Sequence, residues 1–198
     1  MDGSLIPSLG YHIPWQVVRK ATSVSTPVRI VMNAALKTPG GSSLNDLLAK
    51  GHNSVTSLFA SLVCFRLGDG ALSADIAKFY NQTQLEASYL QYQRILWPRA
   101  YLAEGGKGGG EGEELEVVEM VVKTLIYGLR PSGQQCTAGM AKLAAYVDQQ
   151  RPDLAAGAAA VRAAYVDDIL SPATPGKERE LARQISEVLG LAGMQVKG

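Results

Sequence analysis

Cysteine and histidine are scarce. The 198 residues hold two of each: Cys64, Cys136, His12 and His52. No two of these fall at the close spacing of a zinc-ligand pair, which excludes a finger or ribbon metal site. Both cysteines sit in apolar helical patterns and read as buried thiols in a reducing compartment. No run reaches the roughly 18 apolar residues of a membrane span. Met1-Asp2-Gly3-Ser4 lacks the basic and apolar stretches of a secretory signal. Net charge is nearly absent too, at +1. That balance does not mark a nucleic-acid binder, but the charge is unevenly placed. Residues 1–50 carry a net +3 and residues 104–120 a net −5. One acidic insert masks a modestly basic remainder, which is compatible with a polyanionic partner.

What is present is an ordinary globular balance, 46% hydrophobic and 19% charged. It suffices for one core or two small lobes. The first 26 residues read as irregular, with Pro7, Pro14 and a Ser/Thr-rich stretch. A strand is predicted at Val28-Arg29-Ile30-Val31-Met32. A helix starts near Ser43, with Ser42 or Ser43 as cap. A second covers about 54–66, where Val55, Leu58, Phe59, Leu62 and Val63 recur at helical spacing, and Gly68-Asp69-Gly70 ends it. A short strand, 71–76, carries a carboxylate near its end. The segment 84–93 reads as helical and leads into a strand at 94–97. The Gly/Glu run 104–114 cannot pack a core and reads as a flexible hairpin tip. It lacks the spacing of a phosphate loop. A returning strand is predicted over 115–127. A helix follows with Met140, Leu143, Ala144 and Val147 on one face, then an Ala-rich helix near 153–161. A tight hairpin at 165–170, a helix at about 177–189 and a strand at 194–196 complete the pattern. Strands and helices mix without regular alternation. The expected class is therefore α+β, a mostly antiparallel sheet with helices packed on one face.

The chemically informative residues are acidic. Asp167-Asp168 lies between Ala163-Ala164-Tyr165-Val166 and Ile169-Leu170, in an apolar hairpin where adjacent like charges are expensive. A divalent cation offsets that repulsion directly. Asp75 closes another apolar strand, so two strand ends side by side would gather three carboxylates. Oxygen ligands of this kind suit Mg²⁺ or Mn²⁺. Two such ions can stabilise both the attacking and the leaving oxygen of an in-line displacement. By spacing alone, a solvated turn or capping role is the commoner fate of an Asp-Asp pair.

Tyr165-Val166-Asp167-Asp168 resembles the Y-x-D-D hairpin of reverse transcriptases. Leu72-Ser73-Ala74-Asp75-Ile76-Ala77-Lys78-Phe79-Tyr80 resembles their first catalytic block. Tyr11-His12-Ile13-Pro14, the strand Val28–Ala34 and Ser43-Leu44-Asn45-Asp46 resemble the fingers region. Gln93-Arg94-Ile95-Leu96-Trp97 and Ile126-Tyr127-Gly128-Leu129 follow in the family's order. The set is most similar to the BEL/Pao class of long-terminal-repeat retrotransposons and spans about residues 11–198. The resemblance implies a right-hand polymerase, with 1–70 a fingers-like region and 71–198 the palm, and a fingers hairpin inserted near 90–127. It implies RNA-directed DNA synthesis with two Mg²⁺ (or Mn²⁺) held by Asp75, Asp167, Asp168 and the Ile76 carbonyl. Tyr80 matches the ring that bars a ribose 2′-hydroxyl. Arg29 matches the arginine that grips the triphosphate. Gly128 matches a close backbone approach to nucleotide or template, and Lys197 a lysine suited to protonating pyrophosphate. Implied partners are a primed RNA or DNA template, dNTPs and other segments of a retroelement polyprotein. An intracellular setting, a cytoplasmic particle or the nucleus, goes with them, and no membrane.

Two departures stand out. Asn33 occupies a position where the family has Asp, and Arg130-Pro131-Ser132-Gly133 alters the turn after Gly128. The chain also stops at Gly198, where a thumb would begin. These features favour a second reading, a non-catalytic remnant that binds nucleic acid or protein. A third, RNA-templated RNA synthesis, is disfavoured by Tyr80.

Overall fold

The structure is a computed structural model, and it describes residues 10–22, 27–102 and 116–197. The Gly/Glu run 104–114, expected to form a flexible hairpin tip, lies outside the described residues. In chain order the elements are β1 (Trp15–Arg19), β2 (Val28–Met32), α1 (Leu44–Leu47), α2 (Leu58–Phe65), β3 (Gly70–Asp75), β4 (Arg94–Pro98), β5 (Val117–Val121), α3 (Ser132–Gln150), α4 (Ala155–Arg162), β6 (Asp168–Ala173) and α5 (Glu178–Leu191), with short 3₁₀ turns between some of them. The chain divides into two compact units, residues 1–49 with 84–130 and residues 50–83 with 131–198. The fold is α+β, and every paired strand is antiparallel. Among the described residues the strands form three separate pairs rather than one layer. No helix among them is long and apolar enough to cross a membrane.

In the first unit β1 pairs with β2, setting Trp15 opposite Met32. The expectation of an irregular N-terminal stretch is corrected here. Gln16-Val17-Val18 has the β-branched character of a strand, and Lys20 N–H extends the ladder to the Pro27 carbonyl at 2.8 Å. β4 pairs with β5, a shorter returning strand than the 115–127 expected. Val122 N–H still bonds the Gln93 carbonyl at 2.9 Å, but the residues after it pair with another segment: Leu85 N–H donates to the Lys123 carbonyl at 2.9 Å and Gln84 bridges Thr124. The Gln93 side-chain amide donates to the carbonyls of Val122 and Thr124 at 2.9 and 2.8 Å. The core is Ile13, Ala34, Ile95 and Ile126, with Trp15 and Trp97 packed against it. Ser43 caps α1 in a capping box with Asp46. Hydrogen bonds from Lys37 first, then from Ser43, hold the Asp46 carboxyl far below its ordinary range. The helix expected over 84–93 is a 3₁₀ turn, Ala87–Tyr92.

In the second unit β3 pairs with β6, and α2 and α4 pack on β6 while α5 packs on β3. α2 starts at Leu58, later than the 54 expected. Ser57 caps it, and a two-way clasp between Ser54 and the Gln134 side chain, both bonds 2.9 Å, holds the preceding residues extended. α3 buries Cys136, Met140, Ala144 and Val147 at i, i+4, i+8 and i+11. α5 buries Leu181, Ile185, Val188 and Leu189. The two cysteines differ from expectation in one respect: Cys136 is buried but Cys64 is exposed.

Gly157 lets α4 and α5 approach closely. A Cβ there would lie 2.7–2.8 Å from backbone and Cβ atoms of Gln184. Gly157→Ala is expected to destabilise the protein by about 1–3 kcal/mol, the range for overpacking a tight contact. Gly139→Ala, on α3 with open space around its position, is expected to stabilise by up to about 1 kcal/mol. Urea unfolding of both variants checks the contrast.

Candidate active site

The site begins with a two-residue turn. Tyr165 N–H donates to the Asp168 carbonyl at 2.8 Å and Asp168 N–H to the Tyr165 carbonyl at 3.0 Å, leaving Val166 and Asp167 at the tip. Val166 adopts φ 57°, the left-handed region. A β-branched residue is strained there, by roughly 1–2 kcal/mol. The strain is sustained because both flanks are tied down: Ile169 is fully buried, and Ile76 N–H donates to the Asp167 carbonyl at 2.9 Å.

The β3–β6 register sets Asp75 opposite Asp168. Directly opposed residues of an antiparallel pair share a face, with Cβ atoms about 4.5–5.5 Å apart. On the other edge of β3 the terminal segment adds a bridge, Ile76 to Val196. Ala77 N–H donates to the Gln195 carbonyl and Lys197 N–H to the Asp75 carbonyl, at 2.9 and 2.8 Å. That pairing puts Lys197 opposite Asp75, and its Nζ lies 3.7 Å from Asp75 Oδ2. Lys197, Asp75 and Asp168 therefore form a row across three backbone segments, with Asp167 next to it at the turn.

The electrostatics follow from this crowding. Loss of water raises the Asp168 carboxyl above its ordinary range, the negative charges of Asp167 and Asp75 raise it further, and Lys197 opposes them. Tyr80 is half-buried beside the same group. Its phenol is raised by burial first, then by Cys136 and by Asp167. Its ring meets Phe79 edge-on, with centroids 5.4 Å apart, and Phe79 is the buried partner. The Cys136 thiol is pushed up to about 11 by burial, opposed by its contact with Thr83 Oγ1 at 3.7 Å.

The residues expected to act together thus divide in two. Asp75, Ile76, Tyr80, Asp167, Asp168 and Lys197 belong to the second unit, where the β3–β6 register sets Asp75 opposite Asp168 and Asp167 occupies the adjoining turn. Arg29 and Gly128 belong to the first unit. Arg29 is exposed on β2 opposite Val18. Gly128 has φ +96°, and a Cβ there would sit 2.7 Å from the Met32 carbonyl oxygen. Only glycine fits that approach to β2. Asn45 clasps the same turn, donating to the Gly128 carbonyl and accepting from Arg130 N–H, both at 2.8 Å.

Among the described residues no group of three or more His, Cys, Asp or Glu side chains is already arranged to hold a metal ion. Lys197 Nζ, 3.7 Å from Asp75 Oδ2, is the counter-charge beside the acids. The donor set nevertheless suits a hard cation. It consists of three carboxylates and the Ile76 carbonyl.

One contributor carried no motif signal. The Gln82 amide donates to the Ala77 carbonyl, and its oxygen accepts from Gln195 N–H at 3.1 Å. It fixes the terminal segment, and with it Lys197, against the end of β3. No protein-family model matches the chain, and no curated protein matches it.

The raised Asp168 carboxyl has a defined pH consequence. The folded state binds this proton more tightly than the unfolded chain, so ionisation at neutral pH destabilises the fold. That penalty fades as pH falls through the raised folded value and is gone below the ordinary carboxylate value of about 4. Asp168→Asn is expected to raise the melting temperature at pH 7, with the advantage vanishing at pH 3.5. Thermal melts across that range check it.

Proposed function

We propose that the chain is the catalytic core of an RNA-directed DNA polymerase, a reverse transcriptase of the long-terminal-repeat retrotransposon kind. It would join nucleotides to a primer 3′-hydroxyl, with a right-hand fingers and palm organisation. The observation that supports this best is the pairing of Asp75 with Asp168, with Asp167 at the adjoining turn and Ile76 next to Asp75. These four residues would hold two divalent cations, Mg²⁺ or Mn²⁺. When bound, such ions neutralise charge on the attacking and leaving oxygens of phosphoryl transfer.

The chain's own groups supply the rest. Asp75, Asp167 and Asp168 are acceptor-only when ionised. Lys197, 3.7 Å from Asp75, would serve as the proton donor to a departing diphosphate. The raised Tyr80 phenol remains protonated at neutral pH, and its ring offers an uncharged wall against a ribose 2′-hydroxyl. Arg29 would grip the triphosphate with its guanidinium fork, and the Gly128 turn would admit backbone close to nucleotide or template. Partners on this reading are primer–template, dNTPs and neighbouring polyprotein segments, in a cytoplasmic particle or the nucleus.

A second reading is a non-catalytic remnant that binds nucleic acid or protein. It is favoured by the Lys197–Asp75 ion pair at 3.7 Å and by the lack, among the described residues, of three acids arranged to hold a metal ion. Primer extension with dNTPs and Mg²⁺ decides between the two. The enzyme reading expects extension by the wild type and a loss of about a thousandfold or more in Asp167→Asn, the scale of removing an essential catalytic group, with primer–template binding retained. Binding without extension in the wild type supports the remnant. Tyr80→Val is expected to increase ribonucleotide incorporation relative to deoxynucleotides. Equal use of both by the wild type would instead point to RNA synthesis.

A further inference from the structure

Antiparallel neighbours at a hydrogen-bonded position exchange two bonds, each N–H donating to the other's carbonyl. Ala77 and Gln195 make one of them directly: Ala77 N–H donates to the Gln195 carbonyl at 2.9 Å. A side chain takes the place of the other. Gln195 N–H donates to Gln82 Oε1 at 3.1 Å, and Gln82 Nε2 donates to the Ala77 carbonyl. One carboxamide is thus inserted into the ladder and stands in for a peptide group, accepting on one side and donating on the other. The reverse orientation of the amide would set donor against donor, so this one alone satisfies both neighbours.

The segment is held on both sides of this insertion. α5 gives way to a left-handed turn at Gly193, φ 71°. Met194 follows, buried, with its N–H bonded to the Leu189 carbonyl at 3.0 Å. Backbone that moves inward at Gln195 therefore pulls on buried Met194. Gln82 itself ends the 3₁₀ turn Phe79–Gln82, which is rooted by buried Phe79. Past Gln195 the segment bonds β3 directly, through Lys197 N–H and the Asp75 carbonyl at 2.8 Å. The inserted amide therefore governs how the segment lies across the end of β3, and with it where the Lys197 ammonium stands against Asp75.

We infer that Gln82 is a positioning residue that acts through Lys197. The inference rests on the polymerase reading, in which Lys197 is the proton donor. In that step the primer 3′-oxygen, having lost its proton to water, bonds to the α-phosphorus. The bond from that phosphorus to the bridging oxygen breaks, and the ammonium passes its proton to the departing oxygen. The amine then regains a proton from water. A donor acts only within hydrogen-bond reach of the atom it protonates, so the hold on the segment decides whether the step is assisted. Tyr80 lies in the same short turn as Gln82. One element thus sets both the wall against a ribose and the placing of the donor.

Two substitutions test this. Gln82→Met keeps the length of the side chain and removes both hydrogen bonds, and Lys197→Met removes the ammonium. Amide hydrogen exchange followed by NMR reads the hold without turnover. In Gln82→Met the Gln195 and Lys197 amides should exchange at least about tenfold faster than in the wild type, with those of α5 unchanged. Primer extension with dNTPs and Mg²⁺ reads the consequence. The kcat of Gln82→Met should fall by about 10–100-fold, with the KM for dNTP within about twofold of the wild type. In a Lys197→Met background the same substitution should change kcat by less than about twofold. The loss should also be smaller with a β,γ-difluoromethylene dNTP than with the β,γ-methylene one, because the less basic group departs with less need of a proton. Unchanged exchange at Gln195 and Lys197 overturns the inference whether or not the wild type extends a primer. Full kcat in Gln82→Met overturns it too, as does an equal loss in the Lys197→Met background, which marks a merely structural effect. A wild type that extends no primer, with both amides freed in Gln82→Met, sinks the polymerase reading alone, and the hold of Gln82 on Lys197 stands.

Discussion

Antiparallel pairing of β3 with β6 sets one carboxylate against another. Like charges directly opposed on a ladder destabilise it, and here a third, Asp167, stands at the adjoining turn. The second unit is organised around tolerating this arrangement. Buried Ile76 and Ile169 anchor the backbone on either side of the carboxylates. Lys197 supplies the one cationic side chain in the row. The turn itself is strained at Val166. A structure selected for stability alone would replace an acid here, and strain or repulsion kept in place marks a site where function competes with stability.

The supporting elements explain how the repulsion is borne. α3, α4 and α5 bury a continuous apolar set through Val147, Leu154, Val161, Ile185 and Leu189, all nearly or wholly out of solvent. That packing fixes the ladder. At its end the register holds Asp75 opposite Asp168, although no three acids among the described residues are arranged as a ready-made metal cage. Gln82 and the terminal segment tie the far edge of β3, so the position of Lys197 depends on long-range contacts between residues 77–82 and 195–197.

Much of this was legible in the sequence because it is local. Apolar strands ending in acids, the cap at Ser43 and the helical spacing of α3 and α5 are written in neighbouring residues. Strand ends and a motif place Asp75 beside the Asp167-Asp168 hairpin, and the register sets Asp75 opposite Asp168. The cation expected there is a separate matter, and it rests on chemistry. What escaped depends on distant partners. β1 exists because Pro27 and Val28–Met32 return beside it. The late start of α2 depends on Gln134, some eighty positions away. Separate strand pairs cannot be told from one sheet by alternation alone. Cys64 reads as buried because its helix is apolar, but it is exposed.

The central claim is that Asp75 and the sequence-distant pair Asp167-Asp168 form one cation-binding point. Titration of the chain with Mn²⁺, followed by loss of the free-ion electron paramagnetic resonance signal, tests it without requiring turnover. The account predicts saturable uptake that competes with Mg²⁺ and is lost in an Asp75→Asn/Asp167→Asn double variant that stays folded. Uptake absent from the wild type, or unchanged in that variant, would contradict it.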